Sequence, residues 1–320
     1  MTTVAVVTCN CAKELQAPAS IAPLVKGLGS PSFLAFCLQE LAPIHDACLR
    51  YSSAYLRPFI TAVRDEYTPI AESVCGSTGL VMLAHKEAPV PRKIETDQVP
   101  FGMLWSTLKG AALVSLQFGD NDQLTVVSAH LAAGETRVAE RNRDFGLLSA
   151  AFDLAGRPGQ VIIGGDLNYR TLDGTLATDQ LSAELQAGNV ASGLHEHAIE
   201  FDPTYKFLPG TSTYTPKRVR SFCDRVLFRE LPGTEVITYT SLGAVASDHH
   251  PVGLLLSTKF SGPAPNSSVV PVTANANRIL LSYLADLTIG FAVYPISTRT
   301  GRIGLGFAAG LLLIYIFIIN

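Results

Sequence analysis

Five apolar runs end or begin in residues able to do chemistry. TVAVVTCN closes on Asn10, FLAFCLQE on Glu40, LTVVSAH on His130 and QVIIGGD on Asp166, with Asn168 two positions on. Asp248 and His249 stand just before PVGLLLS. Carboxylate and amide oxygens suit a hard cation such as magnesium, which keeps several of its waters. No thiolate or multi-histidine cluster points to a softer metal. Such an ion flanked by imidazoles fits hydrolysis of a phosphate ester. The ion and nearby cations neutralise charge, a carboxylate orients or deprotonates water, and an imidazole holds a phosphoryl oxygen. Taken singly, each residue has a plainer reading: Asp-x-Asn also caps its own turn, and a lone polar side chain can be satisfied inside a core. If the strand continued past Asp166, Asp166 and Asn168 would share a face.

The elements that must position these residues are strands. Apolar runs recur at 3–8, 33–38, 78–84, 111–118, 124–131, 160–166, 222–228 and 251–257. Several are continuous rather than alternating, as expected of strands covered on both faces. A helix is expected over 135–154, with acids early and an apolar stripe through Val138, Phe145, Leu148 and Phe152. Many gaps between strands are too short for helical crossovers, so a mixed, two-sheet core covered by helices is expected rather than a purely parallel sheet. The net charge of −3 gives no general electrostatic case for nucleic-acid binding. Lys217, Arg218, Arg220, Arg225 and Arg229 cluster, either as a solvated face or as an anion grip. Six scattered cysteines, none in a CxxC spacing, fit neither a disulfide framework nor structural zinc. Cys9 and Cys11 are expected on opposite faces of their strand. The first residues do not read as a signal peptide, and a reducing cytosol fits best.

The chain divides into a body over 1–257, a Pro/Ser/Asn-rich linker over 258–277, a segment over 278–298 expected to lie as an interfacial helix on a membrane, and an apolar stretch over 303–319. Asn266 opens a glycosylation sequon that a cytosolic linker would leave unused. The seventeen uncharged residues of 303–319 read as a transmembrane anchor. At ~1.5 Å per residue they span about 25 Å, close to the thinner bilayer of the endoplasmic reticulum. Arg299 and Arg302 precede them, which keeps the body cytosolic.

In order along residues 3 to 257, these segments resemble the endonuclease/exonuclease/phosphatase superfamily and, within it, the inositol polyphosphate 5-phosphatases. GDLNYR (165–170), SDHHPV (247–252), LQE (38–40) and HLAAG (130–134) are similar to superfamily motifs. DPTYKF (202–207) and KRVRSFCDRVLF (217–228) resemble motifs of the 5-phosphatases that the nucleases lack.

The resemblance implies an α+β fold, a four-layer α/β/β/α sandwich of DNase I-like type, here with a C-terminal transmembrane helix. It implies magnesium held chiefly by Glu40 with Asn10 and Asp248 close by, and Asp166 positioning or activating water. Asn168 would bind a phosphoryl oxygen and His249 would stabilise the scissile phosphate. Asp224 would hold the ring of His249, and His130 would be the second imidazole. Tyr205, Lys206, Lys217, Arg218 and Arg170 would grip the substrate, its neighbouring phosphate above all. The sequence departs from the family's pattern at Cys9, Ala12, Gly134, Arg220 and Phe222. The implied activity is removal of the 5-phosphate from phosphoinositides or soluble inositol polyphosphates at a cytosol-facing endoplasmic reticulum membrane, without nucleic acid. The alternatives are an endonuclease or phosphodiesterase of the same superfamily and a catalytically weak, membrane-tethered binding module.

Overall fold

The structure, a computed structural model, describes residues 1–259 and 276–305. Most of the expected linker, the Asn266 sequon and all but the first three residues of the 303–319 stretch lie outside the described residues.

Two six-stranded mixed sheets form the centre. One runs, in spatial order, β11 (Glu235–Ser241), β12 (Val252–Thr258), β1 (Thr2–Asn10), β2 (Phe33–Gln39), β4 (Thr78–His85) and β3 (Tyr67–Cys75). The other runs β5 (Lys93–Pro100), β6 (Gly110–Gln117), β7 (Gln123–His130), β8 (Gln160–Asp166), β10 (Asp224–Phe228) and β9 (His195–Glu196). Among the described residues only β1–β2 and β7–β8 pair in parallel. The first sheet carries α1 (Pro18–Lys26) and α3 (Arg57–Val63), and the other carries α4 (Val138–Ala151) and α5 (Gln180–Gln186); the short α2 (Ile44–Cys48) follows β2.

Continuous apolar runs follow from this layering, because alternate side chains enter different cores. In β1, Val4 and Val6 pack between the sheets against Val114, Val126 and Ile162. Ala5 and Val7 face the helices, among Ile21, Leu24 and Phe59. A third core lies under α4, where Phe145, Leu148 and Phe152 meet Val127, Val161 and Ile163. The architecture is therefore the four-layer sandwich. Cys9 and Cys11 correct the expectation of opposite faces: both lie in the helix-side core, since residues two apart on a strand share a face. All six cysteines are buried and free.

The two glycines of QVIIGGD have a packing reason. A Cβ on Gly164 would press to 3.1 Å of Cys37 Sγ and Val6 Cγ1 in the facing sheet. A Cβ on Gly165 would lie 2.2 Å from the carbonyl oxygen of Ala129 on β7. Nothing larger than glycine lets β8 approach both neighbours as it carries Asp166 to the sheet end. The helix expected from 135 begins at Val138, because 134–137 form a turn closed by Arg137 N–H on the Gly134 carbonyl.

Beyond the body lies α6 (Ala276–Ser297), which is long and apolar enough to cross a membrane by length and composition. One side of it rests on α2 and on the turn at Met103–Trp105, with Asp286 fully buried. A helix lying on a membrane over 278–298 was expected without this contact to the body.

Candidate active site

Strand register assembles the site. Asp166 lies opposite His130 on parallel β7 and opposite Asp224 on antiparallel β10. In the facing sheet, parallel pairing sets Asn10 beside Gln39, and the chain then turns at Glu40 with φ of 45°. Lys109 immediately precedes β6, whose first residue pairs with His130. Asp248 and His249 lie just ahead of β12. These residues line or back one cavity of about 230 Å³.

Asp166 is its centre. Oδ1 accepts from the backbone N–H of Asn168 at 3.1 Å, so the plainer turn-capping reading holds for one oxygen. Oδ2 accepts from Asn10 Nδ2 at 2.9 Å, joining the two sheets. The same atom stands 3.4 Å from His130 Nε2 and 4.0 Å from His249 Nε2. The strand does not continue to Asn168, whose φ of 58° turns the chain. Asn168 donates to the Leu131 carbonyl and accepts from Arg170. The guanidinium of Arg170 lies over the Tyr205 ring at 4.3 Å, and that ring packs on His249 at 4.6 Å.

The two imidazoles differ in charge. Burial alone favours neutral rings. At His249 the carboxylates of Asp224 and Asp166 outweigh it and raise the pKa to about 9. Asp224 Oδ2 accepts from His249 Nδ1 at 2.9 Å and from Thr204 Oγ1 at 2.7 Å, which fixes the ring and aims Nε2 at the cavity. At His130 burial and the ammonium of Lys109 lower the pKa, despite Asp166. Burial also raises the Asp166 carboxyl, but His249, His130 and Lys109 overcome this and hold it far below the ordinary range. Near neutrality the site therefore holds a carboxylate at Asp166, an imidazolium at His249 and a neutral ring at His130.

Glu40 pairs with Lys13, and Asp248 accepts from Lys206 Nζ at 2.5 Å. Burial disfavours the Glu40 carboxylate, yet His130, Lys13 and Lys109 keep it ionised. Asp166, Asp224 and His249 also offer ligand atoms within 4.8 Å of one another. In that group, however, the His249 ring is already tied to Asp224. The oxygen donors Glu40 and Asp248, each carrying an ammonium group, fit a hard cation better.

Most of the expected residues meet here. Glu40, His130, Asp166, Asn168, Arg170, Tyr205, Lys206, Asp248 and His249 line the cavity, with Asn10 and Asp224 buried behind it. Lys217 and Arg218 are outside its lining; Arg218 instead pairs with Glu135 at 3.0 Å, both exposed. Two lining cations went unanticipated, Lys13 and Lys109. Burial lowers the pKa of Lys109 to about 8, against the pull of Asp166 and Glu40. A single base at the threshold of the apolar run GAALVSLQ was its only trace in the sequence.

Comparison with known proteins places the chain in a family and matches its fold. A family model described as endonuclease/exonuclease/phosphatase family 2 matches residues 7–255. Polyphosphatidylinositol phosphatase INP53 of Saccharomyces cerevisiae is 30% identical over 173 residues, which is 45% of this chain and 15% of that protein. Synaptojanin-1 of Homo sapiens is 31% identical over 185 residues, 50% of this chain and 12% of that protein. The chain thus spans only a small part of the length of these relatives. The solved inositol polyphosphate 5-phosphatase domain of SpSynaptojanin, in complex with inositol (1,4)-bisphosphate and calcium ion, matches with a TM-score of 0.69. Identity is 21% and the match covers 93% of both chains, a likeness of fold.

Proposed function

We propose that this chain, which belongs to the endonuclease/exonuclease/phosphatase family 2, is a phosphoric monoester hydrolase that removes the 5-phosphate of phosphoinositides such as phosphatidylinositol 4,5-bisphosphate. The observation that carries this reading is Asp166, kept ionised between a charged and a neutral imidazole in a cavity lined by Lys109, Arg170 and Lys206. The names of the relatives support the substrate class. Against the nuclease alternative stand the net charge of −3 and the segments DPTYKF and KRVRSFCDRVLF.

Glu40 and Asp248, with Asn10 close behind, would hold magnesium, which supplies Lewis-acid neutralisation of phosphoryl oxygens. The protein's own groups do the rest. Asp166 orients the attacking water and takes its proton at Oδ2 as the bond from phosphorus to the inositol 5-oxygen breaks. That proton then passes to the departing ring oxygen, which leaves as a hydroxyl. The imidazolium of His249 donates from Nε2 to the phosphoryl group, its other nitrogen locked by Asp224. Asn168 and Arg170 bind a phosphoryl oxygen, and Lys206 on its Tyr205 neighbour meets the adjacent phosphate.

The test measures phosphate release by the full chain with magnesium from phosphatidylinositol 4,5-bisphosphate vesicles, inositol 1,4,5-trisphosphate and abasic duplex DNA. Lys206→Ala should raise KM roughly 10- to 100-fold on substrates bearing a 4-phosphate, the loss of a charge-assisted contact of about 1.5–3 kcal/mol. Arg218→Ala, outside the cavity, should change it far less. Cleavage of DNA without phosphate release from either inositide would replace this reading with the nuclease.

Membrane attachment is part of the proposal, through residues 303–319, on the cytosolic face of a thin bilayer such as the endoplasmic reticulum. The support is the composition of that stretch and the arginines before it. Deleting 303–320 should move the protein from the membrane pellet to the supernatant with turnover of soluble substrate intact. Retention in the pellet, or loss of that turnover, would refute the anchor.

A further inference from the structure

We propose that Asp286 of α6 is a positioning residue for the reaction: through Thr107 it fixes the loop over 101–109 that delivers Lys109 to the cavity. The proposal rests on the phosphatase reading for its kinetic consequence, but not for its structural one.

The argument starts from an anomaly. α6 exposes Leu280, Leu281, Leu284, Phe291 and Ile296, yet in its middle Asp286 is fully buried. Aspartate is almost never buried without partners, and its partners here are specific. One oxygen accepts from the Thr107 backbone N–H at 2.9 Å and the other from Thr107 Oγ1 at 2.9 Å. A buried backbone donor must be satisfied, and this one is satisfied from outside its own segment.

Thr107 lies two residues before Lys109, whose ammonium meets His130 and feels Asp166 and Glu40. The loop between is pinned at several points. Phe101 N–H donates to the Lys109 carbonyl at 3.0 Å, and Ser77 Oγ donates to the Leu108 carbonyl at 3.1 Å. Its tip holds Leu104 and Trp105 at φ of 54° and 64°, a region that costs side chains of this size strain and persists only where the surroundings enforce it. Asp286 provides the clamp between that tip and Lys109.

Apart from its contact with the turn at Met103–Trp105, α6 is also seated on α2. Arg50 lies over the Tyr283 ring at 5.2 Å, and Ser297 Oγ stands 3.2 Å from His45 Nδ1. Gly290 approaches α2 so closely that a Cβ would lie 3.1 Å from Cys48 Cβ. The helix is thus held on the body at both ends while its middle reaches the loop. The pathway from α6 to the cavity is therefore Asp286, Thr107, Lys109, and along it the helix supports the site.

The full chain is assayed with a water-soluble inositol phosphate in Asp286→Ala, Thr107→Val, the double variant, Asp286→Asn and Tyr283→Ala. Displacing a charged group of a preorganised site by about an ångström typically costs up to roughly 100-fold in rate, and Lys109 is such a group, set against His130 in the cavity lining. Asp286→Ala should lower kcat by about that factor with KM changed little. Thr107→Val, which keeps its backbone N–H on Asp286, should lose less than Asp286→Ala, and the double variant should fall no further than Asp286→Ala, which already removes both bonds. Asp286→Asn, which can still accept from Thr107, should recover most of the loss. Tyr283→Ala, which removes the Arg50 contact but leaves both Asp286–Thr107 bonds in place, should leave kcat unchanged. Amide exchange of 101–109 should accelerate in Asp286→Ala and not in Tyr283→Ala, a readout that stands even if the wild type releases no phosphate. Should Asp286→Ala not fold, Thr107→Val carries both measurements. Unchanged kcat together with unchanged loop exchange in the loop-directed variants would overturn the proposal.

Discussion

Asp166→Asn should lower kcat/KM for phosphate release by roughly 10²–10⁴-fold, the usual cost of losing a general base in a preorganised site. The variant still folds, because asparagine has the same shape and can still accept from the Asn168 N–H that Oδ1 holds at 3.1 Å. What it loses is the charge at Oδ2, on which Asn10, His130 and His249 converge. Linkage supplies a second, independent signature. In the metal-free protein His249 has a folded pKa raised to about 9, with Asp224 and then Asp166 as the carboxylates responsible. A raised imidazole contributes stability that is fully present below its unfolded pKa of about 6.5 and is lost as pH rises through the folded value. Removing one carboxylate shrinks that contribution and moves its loss to lower pH. Urea midpoints measured between pH 6 and pH 10 with chelator, for wild type and variant, read the difference. Undiminished turnover in the purified variant would sink the assignment of Asp166, and identical pH profiles would remove it from the field acting on His249.

The parts of the fold legible in the sequence were the ones buried on both faces. All eight apolar runs are strands, and they are the eight interior strands of the two sheets. The four strands that escaped, β3, β5, β9 and β11, are the four sheet edges. An edge strand needs no continuous apolar run, and charged residues there discourage pairing with other chains. KIETDQVP of β5 is mostly exposed and carries three charges. The residues that meet at the cavity were legible by the same logic. Residues at the ends of interior strands announced themselves as polar breaks in apolar runs, as Asn10, His130 and Asp166 did. Lys109 carried no such contrast: it precedes its strand, and its role depends on the register that pairs Gly110 with His130. Motif resemblance placed Lys217 and Arg218 on the substrate; neither lines the cavity, and Arg218 pairs with Glu135 at the surface.

Arg225→Ala should be the largest single loss of stability in the body, about 3–5 kcal/mol, the cost of stripping one partner from a buried ion pair. Arg225 neighbours Asp224 on β10, but strand alternation sends its side chain to the opposite face, away from the cavity. It is fully buried there. Nε and Nη2 donate to the two oxygens of Glu196 at 2.7 and 2.5 Å, and Nη1 donates to Asp179 Oδ2 at 2.9 Å. Tyr239 of β11 adds its hydroxyl to Glu196 at 2.7 Å, and Asp179 caps α5 through the Ser182 N–H. One guanidinium thus ties an edge strand, a helix start and the neighbouring sheet to the strand that carries Asp224. Truncation leaves two carboxylates in a site that excludes water, which is why the effect exceeds that of a surface pair. Replacing all three groups together, as Arg225→Met with Glu196→Gln and Asp179→Asn, should recover part of the loss, since no uncompensated charge then remains. The variant tests the separation of fold from chemistry as well. At low temperature, where Arg225→Ala is still folded, kcat per folded molecule should stay within a few-fold of wild type, far from the 10²–10⁴-fold drop at Asp166. A loss of activity of that size with an unchanged urea midpoint would mean that Arg225 acts on the catalytic groups and not on the frame that holds them.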